Sequence, residues 1–157
     1  MKRSSVLMLS GIVIMFFSCQ SGLDKKELIG KWRVTDMQVD IPNVPDQLIE
    51  DARTLSLSTI YDFNADMTFQ MTIAKNEIEN GRKQMGEIKI NKQLLTLVTD
   101  TVFLRNRDDE WVNIDKKRGA DFFDPIPLTL EKKSADQMTL SEKEGSGKIY
   151  YTLNRIE

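Results

Sequence analysis

Beyond an N-terminal apolar run, alternating apolar and polar residues dominate the chain, with the period of two that β-strands require. In the first such segment, residues 31–40, Trp32 and Val34 share one face. The next apolar residue, Met37, has the opposite parity. We therefore expect a first strand with a bulge or bend near Asp36, where the side-chain parity changes.

Residues 45–56 interrupt this rhythm. Leu48, Ile49, Ala52 and Leu55 are spaced so that they lie on one face of a helix. The pattern predicts one short helix inserted between the first two strands.

Period-two segments and turn signals then continue to the end of the chain. Asn80-Gly81 is the clearest turn signal, since both residue types tolerate positive φ. Further strands are predicted at 59–63, 67–74, 84–91, 94–99, 101–105, 111–115, 128–130, 138–140 and 149–153, with a long connection at 116–127. Many short strands joined by hairpins predict an all-β, antiparallel up-and-down barrel of about eight strands, because closing the sheet removes its edges.

The first residues have the features of a signal peptide. Lys2 and Arg3 precede an apolar run at 6–17. That run is shorter than the roughly 20 residues needed to span a bilayer, but it suits the apolar core of a cleaved signal. Cys19 follows directly and is the only cysteine in the chain.

The sequence Phe16-Phe17-Ser18-Cys19 resembles a lipobox, although two phenylalanines stand where Leu and a small residue are usual. The resemblance implies cleavage before Cys19 and attachment of lipid to that cysteine. Gln20 follows, instead of the Asp that would signal retention in the inner membrane, so the chain looks like an outer-membrane lipoprotein facing the periplasm, with surface exposure left open. The predicted organisation is a signal peptide at 1–18, a lipidated tether at 19–27 and a barrel domain at 28–157.

Charge and composition exclude several functions. Removing Lys2 and Arg3 from 22 basic residues leaves 20 against 24 acidic ones, so nucleic acid is not an expected partner. The chain has no histidine, and its one cysteine is assigned to lipid, so the common catalytic and metal-binding constellations are missing. We expect no enzyme activity, catalytic group, metal site or cofactor.

Gly30-Lys31-Trp32 opens the first strand and resembles the Gly-x-Trp motif of lipocalins. In lipocalins a basic residue near the end of the last strand packs over that tryptophan at the closed end of the barrel. Arg155 matches this position. The resemblance implies that Trp32 and Arg155 hold the barrel shut.

Longer segments carry the same resemblance. Residues 61–69 resemble the Phe-x-x-Asp-Gly-Thr-Phe turn of bacterial lipocalin-like lipoproteins, with Met67 where the family favours Gly. A non-Gly residue there favours a longer turn than type I′. The hairpin at 130–140 and the closing segment at 151–156 fit the same pattern. Together these motifs resemble a lipocalin-like domain lipoprotein of Gram-negative bacteria, with a calycin-like small barrel.

Two functions follow from this picture. The first is binding of a small apolar ligand inside the barrel without catalysis, with the helix at 45–56 plugging or gating one end. The alternative is a membrane-tethered structural or interaction module with a filled barrel, whose envelope protein partner meets residues 101–127. The candidate ligand-lining residues are Tyr61, Phe63, Phe69, Met71, Trp111, Phe122, Phe123 and Tyr151.

Overall fold

A computed structural model describes residues 25–157, in which nine strands form one antiparallel sheet. Hydrogen bonding runs in the order β4-β3-β2-β1-β9-β8-β7-β5-β6, and a further β4–β5 pairing closes eight of these strands into a barrel. The strands are β1 (Gly30–Asp40), β2 (Thr59–Phe63), β3 (Thr68–Ile73), β4 (Arg82–Asn91), β5 (Leu94–Arg105), β6 (Trp111–Ile114), β7 (Ile126–Lys133), β8 (Gln137–Glu144) and β9 (Gly147–Arg155). The predicted all-β, up-and-down barrel of about eight strands is confirmed.

The pairing of strand β5 explains why β6 lies outside the closed eight-stranded barrel. Its first residues, from Leu94 to Leu97, pair with β7, whereas its last, from Val102 to Arg105, pair with β6. β4 pairs along the whole length of β5. The two strands predicted at 94–99 and 101–105 are therefore one strand, which crosses polar Asp100 without ending.

Three short helical segments accompany the described strands. α1 (Lys25–Leu28) precedes β1, α2 (Asp46–Leu57) lies between β1 and β2, and a 3₁₀ helix spans Ala120–Phe123. The helix predicted at 45–56 is thus confirmed, displaced by one residue. No helix in the described part of the chain is long and apolar enough to cross a bilayer.

The expected bulge in β1 is present. The pairing of β1 with β9 passes from Val34–Leu153 to Asp36–Thr152, so β1 uses one extra residue. This shift reverses the parity of the strand, and Met37 becomes buried on the same inner surface as Val34.

The β2–β3 turn shows how the chain accommodates Met67. The Asn64 N–H donates to the Thr68 carbonyl oxygen at 2.9 Å, and the Met67 N–H donates to the Asn64 carbonyl oxygen at 3.1 Å. Met67 itself adopts φ 66°. The turn is a longer hairpin loop that still places a residue at positive φ, the conformation that Gly adopts most easily.

Candidate ligand-binding cavity

The barrel has one packed end and one end that encloses a cavity of about 320 Å³. Thr59, Ile73 and Arg82 line this cavity, and they begin β2, end β3 and begin β4, respectively. Trp32 and Arg155 lie at the start of β1 and the end of β9. Since these strands are antiparallel, the cavity opens at the end opposite the Trp32–Arg155 pair.

The packed end is held by that pair. The Arg155 guanidinium lies 4.2 Å from the centroid of the fully buried Trp32 ring. Trp32 Nε1 donates to the Leu28 carbonyl oxygen at 2.8 Å. Arg155 donates to the carbonyl oxygens of Ile29 at 2.6 Å and Glu27 at 2.9 Å. Two hydrogen bonds from Arg155 thus connect the last strand to the segment that leads into the first, the Trp32 hydrogen bond connects that segment to β1, and the cation–π contact connects β9 to β1.

Gly30 has a steric role at this end. Its φ is +127°, and a Cβ placed on it would lie 2.5 Å from Arg155 Nη1 and 2.8 Å from the Glu157 carbonyl oxygen. A side chain would therefore displace the guanidinium from the indole. This is the physical reason for a glycine two residues before Trp32.

Helix α2 covers part of the open end. Ala52, Leu55 and Ser56 line the cavity from this helix. None of the residues of α2 is fully buried, and Leu48 is 57% exposed. Arg53 contacts Asp36 of β1 at 3.7 Å, an exposed ion pair that contributes little stability. The helix thus rests on the barrel through few strong contacts.

The apolar wall comes from strands facing the cavity and from the 3₁₀ helix. Four of the eight candidate lining residues are part of it: Tyr61, Met71, Phe122 and Tyr151. The other four lie elsewhere: Phe63 and Phe69 in the packed core, Trp111 on exposed β6, and Phe123 in the 3₁₀ helix away from the cavity.

The sequence analysis missed all the polar wall residues other than the two tyrosines, and two of those it missed, Gln84 and Arg82, lie on β4. Gln84 is buried, and its Nε2 donates to the Phe122 carbonyl oxygen at 2.6 Å, which fastens the 3₁₀ helix to β4. Arg82 lines the cavity next to it. Both have the same parity as Ile88 and Ile90, which the sequence placed on one face. That shared parity was the signal that could have revealed them.

Glu142 and Tyr151 form a second polar group in the wall. The Tyr151 hydroxyl donates to Glu142 Oε2 at 3.2 Å. Burial raises the pKa of Glu142 above its usual range. Burial, together with the charge of Glu142, also raises the pKa values of Tyr61 and Tyr151, so both phenols are protonated at neutral pH.

Replacing Glu142 with Gln is expected to raise the melting temperature at pH 7.5. Because the folded-state pKa of Glu142 lies above the ordinary 4.5, the folded state binds this proton more tightly than the unfolded state. The resulting stability is present below pH 4.5 and is lost as pH rises through the folded pKa. Thermal unfolding should show that the increase in melting temperature caused by Glu142→Gln is smaller at pH 4 than at pH 7.5.

The exposed Glu87 provides the control, since Glu87→Gln should leave the melting temperature unchanged at both pH values. A gain for Glu142→Gln that is larger at pH 4 than at pH 7.5 would contradict the assignment of a raised pKa.

Cys19 and the predicted signal peptide at 1–18 lie outside the described residues. The last residues of the predicted tether belong to helix α1. Leu28 at its end is 2% exposed, and the Glu27 carbonyl oxygen accepts a hydrogen bond from Arg155. This segment is therefore packed against the closed end of the barrel.

Comparison with known proteins assigns no family to the chain. No family model matches the chain, and no curated protein matches it. It is similar to an uncharacterized protein from Bacteroides eggerthii DSM 20697, known from a crystal structure, with 14% sequence identity and a TM-score of 0.48. The match covers 82% of this chain and 98% of the other. The closed eight-stranded antiparallel barrel is consistent with a lipocalin-like calycin.

Proposed function

We propose that this chain is a lipid-anchored envelope protein of the lipocalin-like kind, and that its barrel binds a small hydrophobic ligand without catalysis. The observation that carries the proposal is the cavity of about 320 Å³ at the open end. This volume falls at the lower end of the roughly 300–1,000 Å³ typical of small-molecule sites. A ligand of modest size is therefore expected.

The chemistry of the wall supports binding of an apolar ligand. Val34, Met71 and Leu128 supply apolar surface from three strands, which favours burial of an apolar ligand. The phenols of Tyr61 and Tyr151 are neutral at pH 7, and burial raises the pKa of each further, so these two rings add aromatic surface to the wall without adding charge.

Filling the cavity tests the proposal. Ala52→Phe would project a ring from α2 into the space, and we expect it to weaken binding of a neutral apolar fluorescent probe by about tenfold, because overpacking opposes the ligand. Titration of the probe against the purified protein gives the dissociation constant. Leu48→Phe is the matched control, since Leu48 lies on the same helix but is exposed and outside the cavity wall.

The proposal fails if the wild-type protein binds no such probe, or if Ala52→Phe and Leu48→Phe bind it equally. Native mass spectrometry of protein purified from its own host adds an independent measurement, in which a co-purifying hydrophobic molecule supports the proposal. Absence of probe binding would instead favour the alternative of an interaction module. For that alternative, Trp111 and Val112 offer exposed apolar surface on β6 within the 101–127 segment.

A further inference from the structure

The charges in the cavity wall do not balance. Glu142 and Asp121 line the cavity, and neither forms an ion pair with a Lys or Arg side chain of residues 25–157. Arg82 is the one cationic side chain in this wall, and it already has partners. Its Nη2 lies 3.7 Å from Glu79 Oε2, and its guanidinium carbon lies 4.9 Å from the centroid of the Phe122 ring. With Arg82 offset by Glu79, the wall is left with a net negative charge.

Glu142 presents a free oxygen to the cavity. Its Oε2 accepts a hydrogen bond from the Tyr151 hydroxyl at 3.2 Å, whereas its Oε1 has no donor in the described part of the chain and is not fully enclosed. Burial and the charge of Glu144 raise the pKa of Glu142, the Tyr151 hydrogen bond opposes this, and no cation contributes. A cation in the cavity would therefore stabilise the ionised carboxylate.

Two uncharged oxygens in the same wall also lack donors. Tyr61 is 9% exposed, and its hydroxyl has no hydrogen-bond partner among the described residues. Gln84 is buried, and because its Nε2 donates to the Phe122 carbonyl oxygen, its Oε1 is the atom left without a partner. Neither oxygen is completely enclosed by protein, so both can accept a hydrogen bond from the cavity.

The sheet brings these acceptors together. Tyr61 pairs with Met71, and Met71 pairs with Gln84, so the three side chains stand in one row across β2, β3 and β4. Burial and then the charge of Glu142 raise the pKa of Tyr61, which places that carboxylate near the phenol. The wall thus offers a carboxylate and two neutral acceptors, and its one cation is already paired.

Resting on the proposed function, we propose that the ligand is an amphiphile with a primary ammonium head group, which donates to Glu142, Tyr61 and Gln84. An ammonium has three N–H donors and no acceptor, which suits a set of three oxygens. The apolar tail packs on Met71 and Leu128, which line the same cavity. Charge-assisted hydrogen bonds are roughly twice as strong as neutral ones, so the site selects ammonium compounds over neutral molecules of equal length.

Octylamine, 1-octanol and octanoate test the head-group chemistry at constant chain length. Isothermal titration at pH 8, where an alkylammonium is still charged, should show octylamine binding to the wild-type protein about tenfold or more tightly than 1-octanol. Glu142→Gln keeps the size of the side chain but removes its charge. It should weaken octylamine by about tenfold while changing 1-octanol by less than about twofold.

Two further variants test the contacts. Tyr61→Phe removes only the hydroxyl and should weaken octylamine by about threefold or more. Glu144→Gln is the matched control for Glu142→Gln, since Glu144 lies on the same strand but is exposed and outside the cavity wall. In about 0.15 M salt its charge is screened, and octylamine binding should change by less than about twofold. Circular dichroism on each variant confirms that the fold is retained.

The outcomes separate this inference from the proposed function. If 1-octanol binds the wild-type protein as tightly as octylamine, or if Glu142→Gln or Tyr61→Phe leaves octylamine unchanged, recognition of an ammonium is wrong and a binding cavity stands. Tightest binding of octanoate would also overturn it, as would equal losses for Glu144→Gln and Glu142→Gln. If none of the three molecules binds, the proposed function itself is wrong.

Discussion

Replacing Trp32 with Ala is expected to lower the free energy of unfolding by about 3–5 kcal/mol. The indole is fully buried, contacts the Arg155 guanidinium and donates from Nε1 to the Leu28 carbonyl oxygen. The substitution would leave a cavity and would unfasten the connection between α1, β1 and β9. For a domain of this size the melting temperature should fall by roughly 6–20 °C.

Trp111 provides a matched control, because the chain has 2 tryptophans and this one is 36% exposed. It contacts Lys83 and Arg105 at the surface of β6. Trp111→Ala should lower the stability by about 1 kcal/mol or less. Equal melting temperatures for Trp32→Ala and the wild-type protein would disprove the role assigned to Trp32 at the closed end.

Cys19→Ser is expected to abolish incorporation of labelled fatty acid and to leave the barrel soluble. Under the proposed lipid anchoring, the thiol of Cys19 carries the lipid, and because the chain has 1 cysteine, no second thiol can replace it. The measurement is metabolic labelling in the host, followed by fractionation of membranes from soluble protein. The wild-type chain should be labelled and membrane-bound.

Ser21→Ala is the control for this experiment, since it changes a nearby residue of the tether without touching the thiol. It should retain both the label and the membrane association. Continued labelling of Cys19→Ser would show that lipid attachment at this residue is wrong.

The elements that the sequence predicted best are those whose residues follow one periodicity. The helix was placed within one residue of α2, because four apolar residues share a helical face. The bulge near Asp36 could be predicted because the buried side chains of one strand must all point to the same side of the sheet. Where the parity of the apolar residues changes, the strand therefore needs an extra residue. The β2–β3 turn at Asn64 was likewise marked by residues that tolerate turn conformations. Gly81, by contrast, lies at the end of a longer loop between β3 and β4, where its φ is 126°.

The errors arose where polar residues occupy inward or paired positions. Asp100 suggested a break between two strands, but β5 continues through it, and the register shift opposite Met85 and Gly86 absorbs the extra residue. Gly86 permits that close pairing, since a Cβ there would lie 1.9 Å from the Val98 carbonyl oxygen. This close contact between two backbones depends on residues that are distant in sequence. The local pattern of apolar and polar residues therefore cannot predict it.

The cavity shows the same limitation. Size and parity favoured Phe63 and Phe69 as lining residues, yet they fill the packed core toward the closed end. Arg82 and Gln84 look like solvent-facing residues by type, although their parity is inward. Which inward residues meet open space depends on where α2 and the 3₁₀ helix cover the barrel, and only the assembled fold determines that.

The packing of α1 beneath Trp32 gives the barrel a defined direction relative to its proposed anchor. With lipid on Cys19, the chain up to Lys25 can extend at most roughly 20 Å. The closed end would then face the bilayer. β1 has 11 residues, so the mouth would stand a strand length away, roughly 30 Å, on the aqueous side. A molecule entering the barrel would arrive from solution or from a soluble carrier, instead of leaving the anchoring membrane directly.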